Sequence, residues 1–154
     1  MPRSRWYCAS LSVGYDLVTA SFSVADMVCD YLVLGAGAMG MGFSDALVEA
    51  NQEAEVIIVD NRAHPGGHWN DAYDFATLHQ PARNYGVESA KLEDLALSND
   101  EKRATRAEIL AYYRSVLESW KSKGQDVEFV GGSSFDFEAG AYTLAPIWFA
   151  SAYY

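Results

Sequence analysis

The chain has 154 residues, with 11 lysines and arginines against 21 aspartates and glutamates, for a formal net charge of −10. This acidic balance excludes nucleic acid as an expected partner, because binding a phosphate backbone requires clustered cations. Hydrophobic residues make up 50% of the sequence and charged residues 21%, as in an ordinary globular domain. No apolar run approaches the roughly 20 residues that cross a membrane, so no membrane partner is expected.

Residues 1–28 are predicted to be an N-terminal extension, and Met27 would make a natural alternative start. A signal peptide is disfavoured because polar residues interrupt the apolar part of this segment. Cys8 and Cys29 are the only cysteines, and they lack metal or redox spacing. A reduced, cytoplasmic setting is therefore expected.

An apolar segment, Tyr31–Leu34, runs directly into the sequence Gly-Ala-Gly-Ala-Met-Gly at 35–40. A helix-compatible segment follows, and a second apolar strand, Val56–Val59, ends on Asp60. Strand, glycine turn, helix, strand and acid in this order predict a dinucleotide-binding βαβ unit. A tight turn without a ligand is the alternative for a bare glycine pattern, and the complete context favours the nucleotide.

Each residue type in this unit has a physical role. Gly35 permits the sharp turn, Gly37 leaves room for a pyrophosphate, and Gly40 lets the helix pack close to the strand. The helix N-terminus offers unpaired N–H groups to the phosphates. Asp60 stands about 20 residues beyond the fingerprint, the distance expected for an acid that binds ribose hydroxyls.

The segment 71–103 is expected to be irregular, either an active-site wall or a solvated insertion. Thr105 and Glu108 form a capping box. The helix that follows carries core-type residues at helical spacing, namely Ile109, Tyr112, Tyr113, Val116, Leu117 and Trp120. Gly124 is a suitable residue to end this helix.

A third parallel strand is predicted at Val127–Val130. A small antiparallel hairpin should follow, with Phe135–Phe137 and Ala141–Leu144 flanking a Glu-Ala-Gly turn. The predicted division is thus an extension at 1–28, a partial Rossmann domain at 29–146 and an aberrant apolar tail at 147–154.

The residues after Asp60 read Asn-Arg-Ala-His-Pro-Gly-Gly-His-Trp. With the glycine turn, this resembles the flavin-containing and Baeyer–Villiger monooxygenase group, in which an acid and an arginine precede a Pro-Gly-Gly-x-Trp segment. The stretches Leu78–Pro81 and Tyr85–Ser89 are similar to uncharacterised FAD/NAD(P)-binding oxidoreductases. Such enzymes are much longer than this chain, so a truncated N-terminal fragment is expected.

The resemblance implies that the first glycine turn holds FAD, and that NADPH is the electron donor of the full-length enzymes. Asp60 would bind the adenosine ribose and Arg62 would lie near the adenine or ribose. His68 and Trp69 would stand near the ribityl chain or flavin ring, with Val130 near the adenine. The expected cofactor-binding residues are Gly35, Ala36, Gly37, Ala38, Met39, Gly40, Asp60, Asn61, Arg62, Gly67, His68, Trp69, His79, Gln80 and Val130.

An NAD-dependent dehydrogenase could use the same turn, but the Pro-Gly-Gly-x-Trp segment has no role in such a turn. His64 and His68 have metal-ligand spacing only on a helix, which the intervening Pro-Gly-Gly sequence forbids. No metal site and no catalytic residue are assigned, since the cofactor carries the redox chemistry.

The expected fold is therefore α/β: a Rossmann-type parallel sheet with flanking helices, an incomplete FAD/NAD(P)-binding domain and a small antiparallel hairpin. The expected function is the FAD-binding portion of an NAD(P)H-dependent oxidoreductase, a monooxygenase acting on a small organic molecule, with the fragment itself inactive. An NAD-dependent dehydrogenase fragment and a non-catalytic remnant are the alternatives.

Overall fold

The computed structural model describes residues 6–11, 26–92, 102–136 and 141–144. The strands are β1 (Trp6–Leu11), β2 (Asp26–Cys29), β3 (Tyr31–Leu34), β4 (Val56–Asp60), β5 (Val127–Gly131), β6 (Ser133–Asp136) and β7 (Ala141–Leu144). The helices are α1 (Ala38–Ala50) and α2 (Arg106–Ser122), with short 3₁₀ helices at Gly67–Asn70 and Ala82–Asn84.

A three-stranded parallel sheet carries the glycine turn, with strand order β3-β4-β5. Val33 pairs with Ile58 on β4, and Ile58 pairs with Phe129 on β5. Every residue of β4 is buried, as expected for a central parallel strand covered on both faces. The predicted Rossmann-type fold is confirmed, including the third parallel strand.

Helix α2 covers one face of this sheet. Thr105 and Glu108 form the predicted capping box at its start, and all the core-type residues predicted for it are buried. At its other end, Gly124 takes a positive φ of 76°, which suits a residue just past a helix C-terminus. Helix α2 is thus defined at both ends by local sequence.

A second sheet lies outside the Rossmann unit, with strand order β2-β1-β7-β6. The predicted antiparallel hairpin is confirmed as β6 and β7, with Asp136 paired to Ala141. Strands β1 and β2 fall in the segment expected to be an extension, and the expected boundary at residue 28 lies within β2. Phe137 and the predicted tail, residues 147–154, lie outside the described residues.

The segment from Asp71 to Leu92 is irregular, as expected. Its only regular element among the described residues is the 3₁₀ helix Ala82–Asn84. Leu78, Val87 and Leu92 nevertheless belong to the same buried cluster as the helix and sheet residues, so this segment is anchored on the core. No helix in the described parts of the chain is long and apolar enough to cross a membrane.

Candidate functional site

The glycine turn joins β3 to α1 in the manner expected. Gly35 has φ of 99° and donates its N–H to the carbonyl oxygen of Val59 at 2.7 Å. A Cβ on Gly40 would lie 1.8 Å from the carbonyl oxygen of Gly35, a distance that no side chain tolerates. The turn therefore requires glycine at 40 for close helix packing and at 35 for its left-handed backbone.

The N-terminus of α1 has no cap of its own. Gly37 is the N-cap residue and offers no side-chain hydrogen bond, and the first turn contains no acidic residue. In α2, by contrast, both halves of a capping box satisfy the first N–H groups. An uncapped helix start at the end of a parallel strand is an anion-binding arrangement, since unpaired N–H groups and the helix dipole both favour negative charge.

The Pro-Gly-Gly loop crosses directly over this turn. Gly66 donates its N–H to the carbonyl oxygen of Ala36 at 2.8 Å, and a Cβ on Gly67 would lie 2.8 Å from the Gly37 Cα. Gly67 also has a positive φ of 55°. The two predicted glycine segments thus meet backbone to backbone, with no side chain between Gly37 and Gly67.

Asp60 fastens the end of β4 to the same turn. Its Oδ2 atom accepts the N–H of Ala36 at 2.6 Å, and its Oδ1 atom accepts the N–H of Arg62 at 2.8 Å. The residue is only 6% exposed. Each carboxylate oxygen can accept a further bond, so this structural role and ribose binding are compatible.

Trp69 is held in place by side chains from two other segments. Its Nε1 atom donates to the hydroxyl of Tyr85 at 3.0 Å, and the Tyr113 hydroxyl donates to the same oxygen at 3.1 Å. Burial, followed by the hydrogen bond with Tyr85, raises the pKa of Tyr113 well above its usual value. The Tyr113 hydroxyl therefore stays neutral, and the hydrogen bonds between Trp69, Tyr85 and Tyr113 fix the indole ring.

Arg106 binds the backbone at Trp69 and Asn70. Its guanidinium donates to the carbonyl oxygens of Trp69 and Asn70, both at 2.9 Å, and to the carboxylate of Asp74 at 2.7 Å. Arg106 is the first residue of α2. The 3₁₀ helix that contains Gly67, His68 and Trp69 is therefore fixed to the start of α2.

Asn61 and Arg62 border an open cavity of about 720 Å³ between the end of β4 and α2. Arg62 donates its Nε to Asp71 at 2.6 Å and its NH1 group to Asn61 at 3.2 Å. His64 and Arg106 also line the cavity. Asn61 and Arg62, which were both predicted to bind the cofactor, thus share this cavity with His64 and Arg106, which were not.

The remaining predicted residues are more dispersed. Met39 is 86% exposed beside the turn, next to exposed Ala38. His79 is exposed and Gln80 half-buried, and within the described residues neither makes a hydrogen bond to the turn. Val130 packs against a small apolar cluster that includes Val59, while its neighbour Gly131 pairs with Asp60.

Three residues that hold this site were missing from the predicted set, namely Tyr85, Arg106 and Tyr113. The helical spacing of Tyr113 predicts a core position, which is correct for its ring but does not show where its hydroxyl points. Arg106 lies inside a recognisable capping box, but its three acceptors lie more than thirty residues earlier in the chain. No local sequence signal identifies such contacts.

The geometry at Gly37 leaves space that a diphosphate would fit. A Cβ on Gly37 would meet only the Gly67 Cα, at 3.7 Å, so protein packing alone does not require glycine there. A glycine here leaves room for a ligand to approach the backbone closely. The uncapped helix start and the bare glycine surface both fit the pyrophosphate of a dinucleotide.

Residues 33–88 match the family described as NAD(P)-binding Rossmann-like domain. An uncharacterised protein of Mycobacterium tuberculosis is 46% identical over 95 residues, which cover 58% of this chain and 18% of that protein. The chain therefore spans about a fifth of the length of the curated relatives it matches.

Solved structures of monooxygenases share its fold, among them the following two. A double mutant of a Stenotrophomonas maltophilia flavin monooxygenase is 25% identical, with a TM-score of 0.50, over 64% of this chain and 27% of that one. A mutant of Rhodococcus cyclohexanone monooxygenase bound to NADP⁺ is also 25% identical, with a TM-score of 0.50, over 68% and 19%. The resemblance expected from the sequence is confirmed: the chain is similar, in sequence and in fold, to the nucleotide-binding domain of flavin monooxygenase-like proteins.

Proposed function

We propose that this chain binds FAD at the glycine turn, as part of an NAD(P)H-dependent flavoprotein monooxygenase that acts on a small organic molecule. The observation that carries the proposal is the contact between Gly37 and Gly67 in front of an uncapped helix. It gives one surface on which a pyrophosphate can reach the N–H groups of α1.

The chain's own residues would hold and orient the cofactor. Asp60 would accept bonds from the adenosine ribose, and Gly67 would let the loop run against the cofactor. Trp69, fixed by Tyr85 and Arg106, would bound the ribityl and flavin side. Bound FAD would supply the redox chemistry.

The similar Stenotrophomonas protein is a flavin monooxygenase, and the similar Rhodococcus monooxygenase was solved with NADP⁺ bound. Both similarities support this cofactor pair. The chain matches only 19–27% of those proteins. We therefore propose that it binds FAD on its own but does not turn over NADPH or a substrate.

The test is FAD retention after gel filtration, measured by the flavin absorbance bands. The wild-type chain should retain FAD, and Gly37→Ala should weaken binding at least about tenfold by placing a methyl group at the pyrophosphate position. Gly37 has φ of −80°, which alanine adopts easily, so this variant should fold.

Gly42→Ala is the matched control, because a Cβ at Gly42 meets nothing within 4 Å. It should retain FAD fully. Equal FAD retention by Gly37→Ala and wild type would show that the turn is assigned wrongly. A folded, colourless chain that NAD protects from thermal unfolding would instead support the dehydrogenase alternative.

A further inference from the structure

The cavity between the end of β4 and α2 is cationic in a chain that is otherwise acidic. Arg62, Arg106 and Arg114 all line it, Asp71 is the one carboxylate among its lining residues, and Asp74, outside the lining, pairs with Arg106. The full sequence has only 11 lysines and arginines and a net charge of −10. Three positively charged guanidinium groups thus lie at one cavity of a chain whose net charge is negative.

Two of the three guanidinium groups are fixed in position. Arg62 forms an ion pair with Asp71, in which its Nε and NH2 atoms lie 2.6 Å and 2.5 Å from the Asp71 Oδ2 atom. Arg106 is held by two backbone carbonyl oxygens and by Asp74. Side chains that are already ordered lose little further conformational freedom when a ligand binds.

The third guanidinium group is free. Within the described parts of the chain, Arg114 makes no hydrogen bond or ion pair, and it is exposed. It lies two helical turns after Arg106 on the same face of α2, with Leu110 between them at the cavity. This face of α2 thus presents the Arg114 guanidinium, which can donate two hydrogen bonds to a ligand, beside the apolar side chain of Leu110.

We propose that this cavity, defined by Arg62, Arg106 and Arg114, is a binding site for the phosphate group of a small molecule. Its volume of about 720 Å³ is in the range of small-molecule pockets. Guanidinium forks match phosphate oxygens geometrically and carry the compensating charge. The glycine turn is not part of its lining, so phosphate binding does not require the pyrophosphate site, while Asn61 and Arg62 are shared with the residues expected to bind the cofactor.

Isothermal titration of the purified chain at low ionic strength would test the site. The probes are inorganic phosphate, adenosine 2′,5′-bisphosphate and adenosine 5′-diphosphate. Arg114→Gln should weaken phosphate binding about tenfold through loss of a charge-assisted bond. Its exposed, unpartnered side chain predicts an unchanged melting temperature.

Arg103→Gln is the matched control, since Arg103 is exposed and does not line the cavity. It removes the same charge and should leave binding unchanged. Equal affinities of Arg114→Gln and wild type, or no saturable binding of any probe, would overturn the proposal. Gly37→Ala should keep phosphate binding while losing FAD, which separates failure of the two proposals.

The probes also distinguish two sources of the phosphate. Tighter binding of the 2′,5′-bisphosphate than of inorganic phosphate, in competition with FAD, would assign the site to the 2′-phosphate end of a dinucleotide. Inorganic phosphate binding that adds to FAD binding would assign it to a separate phosphorylated small molecule. Both outcomes support a phosphate site at these arginines.

Discussion

Gly37 and Gly67 bring two distant glycine segments into direct backbone contact, with the Cβ position of Gly67 only 2.8 Å from the Gly37 Cα. The contact is not reciprocal: a Cβ on Gly37 would lie 3.7 Å from Gly67, which is ordinary packing. Gly67 is therefore required by the fold, whereas Gly37 is required only if a ligand occupies the space in front of it.

This asymmetry predicts that Gly67→Ala destabilises the chain. A left-handed backbone costs a non-glycine residue about 1–2 kcal/mol, and forcing a methyl group against a backbone adds roughly 1–3 kcal/mol. Thermal or urea unfolding of the variant would measure the sum. FAD retention should fall as well, because the loop must move away from the turn.

Gly124→Ala separates the two contributions. Gly124 has φ of 76° and nothing lies within 4 Å of its Cβ position, so only the backbone cost of about 1–2 kcal/mol applies. Equal destabilisation by the two substitutions would mean that the loop does not press on the turn as the structure shows.

The capping box of α2 predicts a specific pH dependence. The hydrogen bond from Lys102, and then the N–H of Thr105, lower the pKa of Glu108 from its ordinary value of 4.5. A carboxylate with a depressed folded-state pKa stabilises the fold above its unfolded-state pKa, and this stabilisation is lost as pH falls through the folded-state pKa.

Glu108→Gln should therefore be less stable than wild type at pH 7, by up to about 1 kcal/mol for this partly exposed ion pair. The difference should shrink as the pH falls below 4.5. Urea unfolding between pH 7 and pH 3 would measure it. Glu118→Gln, on an exposed position of the same helix, is the control; a wild-type advantage that does not shrink at all between pH 7 and pH 3 would contradict the assignment.

The βαβ unit and α2 could be predicted from the sequence because their signals are local. The glycine turn follows its strand directly, and the two halves of the capping box at Thr105 and Glu108 are three residues apart. The parallel pairing of β3, β4 and β5 then follows from the alternation of strands and helices. The start of α1 directly after the glycine turn could be inferred in the same way.

The assembly of the second sheet and the contacts that hold the site could not be predicted, because they depend on segments that are distant in the sequence. Strand β1 pairs with β7 at the opposite end of the chain. The local pairings of β1 with β2 and of β6 with β7 do not indicate that β1 and β7 are neighbours. Arg106 reaches Trp69 across 37 residues. Asp45 looks like a surface acid on a short helix, yet it is fully buried.

Asp45 accepts hydrogen bonds from three donors on two other segments: the Ser89 N–H at 2.9 Å, the Ser89 hydroxyl, and the Trp120 Nε1 at 3.1 Å. It thereby ties α1 to the 85–92 segment and to α2. Asp45→Ala would leave these donors without their acceptor in the core. Since each unsatisfied buried group costs about 1–3 kcal/mol, we expect a loss of roughly 2–5 kcal/mol.

Urea unfolding of Asp45→Ala, Trp120→Phe and the double variant would test this. The two substitutions should couple by about 0.5–3 kcal/mol, because they remove the two ends of one hydrogen bond. Glu49→Ala on the same helix is the control: its ion pair with Lys123 is 45% exposed, so its loss should be below about 1 kcal/mol. Additive effects of Asp45→Ala and Trp120→Phe would place the stabilising role of Asp45 with Ser89 alone, and a loss no larger than that of Glu49→Ala would contradict the buried network.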